Sequence, residues 1–305
     1  MEAATFDPPP GVAEVVADGL RRLLAPNPGP MTFRGTNTYL LGNRGIAVID
    51  PGPDNPAHLA AILGALGPGQ AISHILVTHA HRDHSPLARR LSAATDAPVL
   101  AFGDAQAGRS AVMQDLAASG MAGGGEGVDI EFSPDAVLQD KTVVAGDGWE
   151  VTALWTPGHM GNHLCFAWTD TVFSGDLVMD WATSLISPPD GDVAAFRASC
   201  RRLRAHGPRR LWPGHGAPVD DPAARIDWLM AHREAREAQI LAVLEAGPMS
   251  PNELALAIYR DTVPTLLPAA ARNVLAHLAD LASRGVVTAS PRLGPSAVFD
   301  LARRA

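Results

Sequence analysis

Two cysteines, Cys165 and Cys200, are all that the 305 residues contain. That is too few to staple a chain able to build its own core, which excludes a disulfide scaffold and points to a reducing compartment. No apolar run approaches the roughly 20 residues that cross a bilayer. The segment Met1 to Gly11 carries Glu2, Asp7 and three consecutive prolines, where a secretory leader needs a basic start and an apolar stretch. The expected location is cytoplasmic, with no membrane partner. Charge is sparse as well: 18% of residues are charged and 47% are apolar, far from the balance of a disordered chain. Lys and Arg number 24 against 32 Asp and Glu, a net charge of −8, which disfavours nonspecific attachment to phosphate backbones. The length predicts one large core domain with a smaller appendix.

Runs rich in Val, Ile and Leu, bounded by Gly, Pro, Asp and Asn, recur through about the first 220 residues and read as buried strands. The clearest are Thr38 to Leu41, Ile46 to Ile49, His74 to Thr78, Val151 to Thr156, His163 to Trp168 and Thr171 to Phe173. Helical patterns lie between them at Pro56 to Leu66, at Pro86 to Ala94 with Ser85 as its cap, and at Val193 to Ala205. The mixture predicts an α/β domain. Beyond residue 222 the chain turns helical, at Ala223 to Ala246, Pro251 to Tyr259 and Pro268 to Arg284, and ends in a hairpin pattern from Val286 to Leu301. Helices followed by a hairpin suggest a winged-helix module, giving domains at 1–226 and 227–305. Gly123-Gly124-Gly125 is expected to be a flexible surface loop.

The strongest chemical signal is Thr78-His79-Ala80-His81-Arg82-Asp83-His84, with three histidines and an aspartate directly after an apolar run. Core packing does not account for it. His79 and His81 project to one side of an extended segment, and Asp83 and His84 fall at the turn that follows. Leu154 to His159, Val172 to Asp176 and Leu211 to His215 repeat the arrangement, each an apolar run ending in a residue that can bind metal. If the runs share a sheet, their ends converge where α/β proteins commonly build sites, and imidazole with carboxylate suits zinc and related divalent ions.

The order His-x-His-x-Asp-His, Gly-His, Gly-Asp, Gly-His resembles the metallo-β-lactamase superfamily over the first 220 residues or so. The resemblance implies an αββα sandwich and two Zn2+ ions, with iron or manganese as the alternatives. It implies one metal on His79, His81 and His159, a second on Asp83, His84 and His215, and Asp176 bridging both. A hydroxide shared by the metals would attack an ester, thioester or phosphodiester, with Asp83 orienting it and shuttling its proton. Asp50 resembles the family's aspartate that orients a liganding histidine. His163 is a candidate catalytic group near the site, and Gly35 to Tyr39 a candidate lining of the substrate mouth.

Asp176 argues against antibiotic hydrolysis, because the superfamily's β-lactamases generally lack that bridge. The close spacing of His159, Asp176 and His215 leaves no room for the inserted domain of its long RNA-processing nucleases. Thr78 to Ser85, with Arg82 and Ser85 included, and the tail are similar to the β-lactamase-like protein 2 group. That resemblance implies either cleavage of a small-molecule ester or thioester, or endonucleolytic cleavage of single-stranded RNA. A winged-helix regulator with a non-catalytic metal domain is a further alternative. The tail holds eight Lys or Arg and eight Asp or Glu, whereas a dedicated nucleic-acid binder shows a basic face. Arg272, Asn273 and Arg284, and Arg201, Arg202, Arg204, Arg209 and Arg210, are the candidate phosphate contacts, with a solvated face as the favoured reading. Covering the site or forming a homodimer contact are the other roles open to the tail.

Overall fold

The computed structural model describes residues 6–122 and 127–302, so the Gly123-Gly124-Gly125 loop lies outside the described residues. The first sheet runs in chain order through β1 (Glu14–Ala17), β2 (Leu20–Leu24), β3 (Asn37–Leu41), β4 (Gly45–Ile49), β5 (Ala71–Leu76), β6 (Val99–Ala101) and β7 (Ala136–Val137). It is antiparallel up to β4 and parallel from there on. Helices α1 (Pro56–Gly64) and α2 (Leu87–Thr95) are its parallel crossovers, and α3 (Ala111–Ala118) follows β6. The second sheet holds β8 (Val143–Gly146), β9 (Trp149–Trp155), β10 (Leu164–Trp168), β11 (Thr171–Gly175) and β12 (Arg210–Pro213), the last joined in parallel through α4 (Val193–His206).

Period-two alternation makes the layers. In β4, Ile46 and Val48 pack with Ile62 of α1 and Leu91 of α2, whereas Ala47 and Ile49 face the second sheet. Phe166, Phe173 and Trp212 meet them from the other side, and Cys165, Val172 and Leu211 on the same strands turn outward onto α4. Each side chain of this size buried is worth about 1.5–3 kcal/mol, and a one-residue slip of register would turn the whole set to the wrong face. The result is a mixed αββα sandwich of the metallo-β-lactamase type.

The C-terminal part comprises α5 (Pro222–Leu244), α6 (Pro251–Ile258), α7 (Leu267–Ser283) and a hairpin of β13 (Val287–Ser290) and β14 (Val298–Leu301), the winged-helix arrangement. The division at 226/227 falls inside α5, whose Ile226 and Leu229 belong to the sandwich core and whose Ile240 and Leu244 belong to the tail core. Among the described residues no helix is long and apolar enough to cross a membrane.

The expected cap at Ser85 does not form: α2 starts at Leu87 without a side-chain cap. Residues 81–85 already make a helical turn, with the His84 and Ser85 amides donating to His81 O. The Ser85 hydroxyl therefore bonds back to His81 O, four residues earlier, and to Asp129 Oδ2 at 2.9 Å.

Candidate metal centre

The strand ends of both sheets bring the seven expected residues to one place. His79, His81, Asp83 and His84 follow β5, His159 follows β9, Asp176 follows β11 and His215 follows β12. None of the seven is more than 6% exposed. Three overlapping groups have ligand atoms close enough to share an ion: His79, His81 and His159; His79, His84 and Asp176; and Asp83, His84 and His215.

The hydrogen bonds on the far side of each ring decide which nitrogen faces inward. His159 Nδ1 lies 2.7 Å from Leu185 O and His215 Nδ1 lies 3.1 Å from Gly35 O; a carbonyl only accepts, so both Nδ1 atoms carry hydrogen. His84 Nδ1 donates to Asp50 Oδ2 at 2.9 Å. His79 Nδ1 is 2.9 Å from Thr78 Oγ1, which itself donates to Asp50 Oδ2 at 2.7 Å. Asp50 thus orients His84 directly and His79 through Thr78, and its Oδ1 accepts the Thr78 amide at 2.7 Å.

The inner nitrogens then face one another at hydrogen-bond distance. His79 Nε2 and His81 Nδ1 are 3.0 Å apart, His159 Nε2 and His81 Nδ1 2.9 Å, and His84 Nε2 and His215 Nε2 3.3 Å. Asp176 spans both halves: Oδ2 is 3.6 Å from His159 Nε2 and 3.4 Å from His215 Nε2, while Oδ1 is 3.5 Å from His84 Nε2. Asp83 Oδ1 and Asp176 Oδ1 are buried without a hydrogen-bond partner. Ring nitrogens crowded onto one point and orphaned carboxylate oxygens are costly alone and favourable around cations, so the donor set fits divalent metal.

The halves differ in proton affinity. Desolvation, reinforced by neighbouring rings, holds His79 well below the usual imidazole value and His81 at about 3, and desolvation lowers His159 too. Desolvation acts on His215 as well, but Asp176 and Asp83 outweigh it and lift the ring to about 10. Asp83, Asp176 and Asp50 likewise raise His84 well above the usual range. Burial would raise the Asp83 and Asp176 carboxyls, yet His84 and His215 hold both well below the carboxylate range.

His163 is fully buried; its Nδ1 faces Thr156 Oγ1 at 3.0 Å and its Nε2 accepts the Asp176 amide at 3.2 Å. Gly35 to Tyr39 lies against the site but braces it. Thr36 Oγ1 donates to Asp83 Oδ2 at 3.2 Å, and Asn37 Nδ2 donates to Pro213 O and Gly216 O at 3.0 Å each. Sequence reasoning missed Thr78, Thr156 and the carbonyls of Leu185 and Gly35. It also missed that Gly214 leaves no space for a side chain: a Cβ there would sit 2.3 Å from Asp176 Oδ1.

Fold and centre together define a metal-dependent hydrolase. The model of the metallo-β-lactamase superfamily matches residues 31–215, and that of the β-lactamase-associated winged helix domain matches residues 250–292. The chain belongs to the metallo-β-lactamase superfamily and carries that winged helix. It is 32% identical over 281 residues to the β-lactamase-like protein 2 homolog of Drosophila melanogaster, covering 88% of this chain and 89% of the relative. It is 29% identical over 245 residues to an atrochrysone carboxyl ACP thioesterase of Cryptosporiopsis sp. (strain 8999), covering 78% of this chain and 66% of that enzyme. A crystal structure of a β-lactamase domain protein from Burkholderia ambifaria superposes with a TM-score of 0.81 at 22% identity, over 98% of this chain and 96% of that one.

Proposed function

We propose that the protein is a dinuclear zinc hydrolase of small-molecule esters or thioesters. The observation that carries the two-metal reading is the double cluster of His79, His81 and His159 and of Asp83, His84 and His215, with Asp176 between them. Zinc, when bound, supplies Lewis acidity that polarises a carbonyl oxygen and lowers the pKa of a water from near 16 to about 7. Asp83, anchored through Oδ2 by Thr36, keeps Oδ1 free to orient the attacking water and take its proton. The water oxygen bonds to the acyl carbon, the bond to the alcohol oxygen or thiol sulfur breaks, and the proton passes to the leaving group. Asp50 fixes the two rings described above, and His163 positions Asp176 through its amide.

The placement of the cations supports a small acyl substrate over single-stranded RNA. Of the five arginines before His215, Arg201 is exposed and the other four are paired: Arg202 with Asp140 at 2.7 Å, Arg204 with Asp227 at 3.2 Å, Arg209 with Asp170 at 2.7 Å and Arg210 with Asp220 at 2.6 Å. Arg284 pairs with Glu237 and Asp280, and Arg272 and Asn273 bond within the molecule. Beside His215, Trp181 packs on Gly216 and stacks on Phe33 at 5.0 Å, an apolar wall suited to an acyl group. The test is elemental analysis alongside turnover of a thioester, a phosphodiester and a single-stranded RNA reporter. About two zincs per chain with thioester cleavage is expected. Salt-sensitive RNA cleavage without thioester turnover would replace the substrate reading with the endoribonuclease one, and absence of metal would remove the whole proposal.

A further inference from the structure

We infer that the C-terminal module is a brace for the segment between β11 and α4, and that Arg233 of α5 is the positioning residue through which it sets His159. The segment begins at the ligand Asp176 and contains Leu185, whose carbonyl fixes the His159 ring at 2.7 Å. Within the segment the Ser184 hydroxyl donates to Leu177 O at 2.7 Å. Four of its other backbone oxygens are taken by arginines from the tail helices. Arg225 donates to Met179 O at 2.7 Å and Ala182 O at 2.8 Å, Arg233 donates to Ser184 O, and Arg272 of α7 donates to Pro188 O at 3.2 Å.

Arg233 has the most direct line to the site. The residue is 1% exposed, and its guanidinium carbon lies 5.3 Å from the centre of the Phe196 ring. One arm donates to Asn273 Oδ1 at 2.7 Å, and the other to Ser184 O. Ser184 O belongs to the peptide plane that leads into Leu185, so fixing that plane restrains the next carbonyl, which receives the His159 hydrogen. The planar fork ties α5, α7 and the segment at once, and an ammonium on a flexible stem cannot reproduce both bonds. Among the described residues no carboxylate pairs with it and its Nε has no hydrogen-bond partner, so the bonds to Asn273 and Ser184 O are what hold the guanidinium in place.

The inference rests on His159 being a metal ligand, and the experiment separates the two. Cobalt binding to the full-length metal-free protein is measured by competition with a chromophoric chelator and by visible absorption, for wild type, His159→Ala, Arg233→Met, Arg233→Lys and Arg272→Ala. Arg233→Met is expected to weaken one of the two cobalt equivalents severalfold or more, up to the roughly 10- to 100-fold that losing the outer partner of a ligand outright costs. The other equivalent is unchanged, Arg233→Lys recovers part of the loss, and Arg272→Ala weakens the same equivalent severalfold. Should Arg233→Met fail to fold, the less buried Arg272→Ala decides alone. A His159→Ala protein that loses one equivalent, beside folded arginine variants that bind both with wild-type affinity, overturns the brace and keeps the metal reading. If His159→Ala itself binds both equivalents normally, the metal reading falls first.

Discussion

Replacing Asp50 with Asn keeps the size of the side chain and inverts two hydrogen bonds at the base of the site. Asp50 accepts three bonds, from the Thr78 amide, the Thr78 hydroxyl and His84 Nδ1. An Asn oxygen can keep the Thr78 amide bond, and the Thr78 hydroxyl can rotate to accept from the new NH2 group. His84 Nδ1 has no such freedom: facing a donor, it must give up its hydrogen, which leaves the ring's hydrogen on Nε2. That hydrogen then points at Asp83 Oδ2, 3.2 Å away, and at His215 Nε2, 3.3 Å away, filling the position a metal needs. Loss of such an outer partner usually costs 10- to 100-fold in metal affinity, about 1.4–2.7 kcal/mol. The Thr78 amide exchanges a charged acceptor for a neutral one, which removes about 1 kcal/mol of stability in addition. Zinc affinity by chelator competition, with thermal unfolding of the metal-free protein as the control, measures the two separately. A folded Asp50→Asn protein whose zinc affinity stayed within about twofold of wild type would refute the reasoning.

Asp83→Ala is expected to keep metal on the His79, His81 and His159 cluster and to lose at least about 100-fold in kcat, since the group that handles the water's proton is gone; metal analysis with steady-state kinetics checks it. Gly214→Ala drives a Cβ to 2.3 Å from Asp176 Oδ1 and 2.7 Å from His84 Cε1, so metal affinity should fall at least tenfold, read by chelator competition, in a protein whose circular dichroism is unchanged. In the metal-free protein His84 and His215 are protonated at neutral pH and His79, His81 and His159 are not. Binding of one zinc equivalent should therefore release up to two protons and strengthen as pH rises from 7 towards 10, while the other releases none. Calorimetric titration in buffers of different ionisation enthalpy counts these protons, and equal release at both steps would contradict the assignment.

The candidate ligands were legible because their chemistry lies in residue type and spacing: His79, His81, Asp83 and His84 have no packing rationale as a group. The partners that orient them were mostly illegible, because half are backbone carbonyls. Any residue at position 185 or 35 offers the same oxygen, so nothing in the sequence marks Leu185 or Gly35 as the acceptors for His159 and His215. Asp50 was readable only because it is a side chain. The same logic explains the missed strands. In β2 the pattern Leu20-Arg21-Arg22-Leu23-Leu24 breaks the alternation, and Arg22 is buried because Glu14 of β1 meets it at 2.6 Å, a partner visible only once the strands pair. Ser85 was misread for a related reason: a serine before a proline is a fair cap signal, but the turn built by the ligand loop had already begun.

The tail shows the same limit at a larger scale. Its helices and hairpin predicted a winged helix, and a winged helix suggests a helix offered to a groove; what decides the matter is whether any helix keeps a free face. In α7, residues 274–281 are buried on every side. Ala276 joins the sandwich core, Val274, Leu275, Leu278 and Leu281 the tail core, and Asp280 meets Arg197 of α4 at 3.0 Å. A helix enclosed this way would have to leave the sandwich before it could enter a groove, exposing the apolar residues that hold the two parts together. Reading nucleic acid with α7 and keeping the His159 side of the centre braced are therefore competing states of one helix, and the packing favours the second.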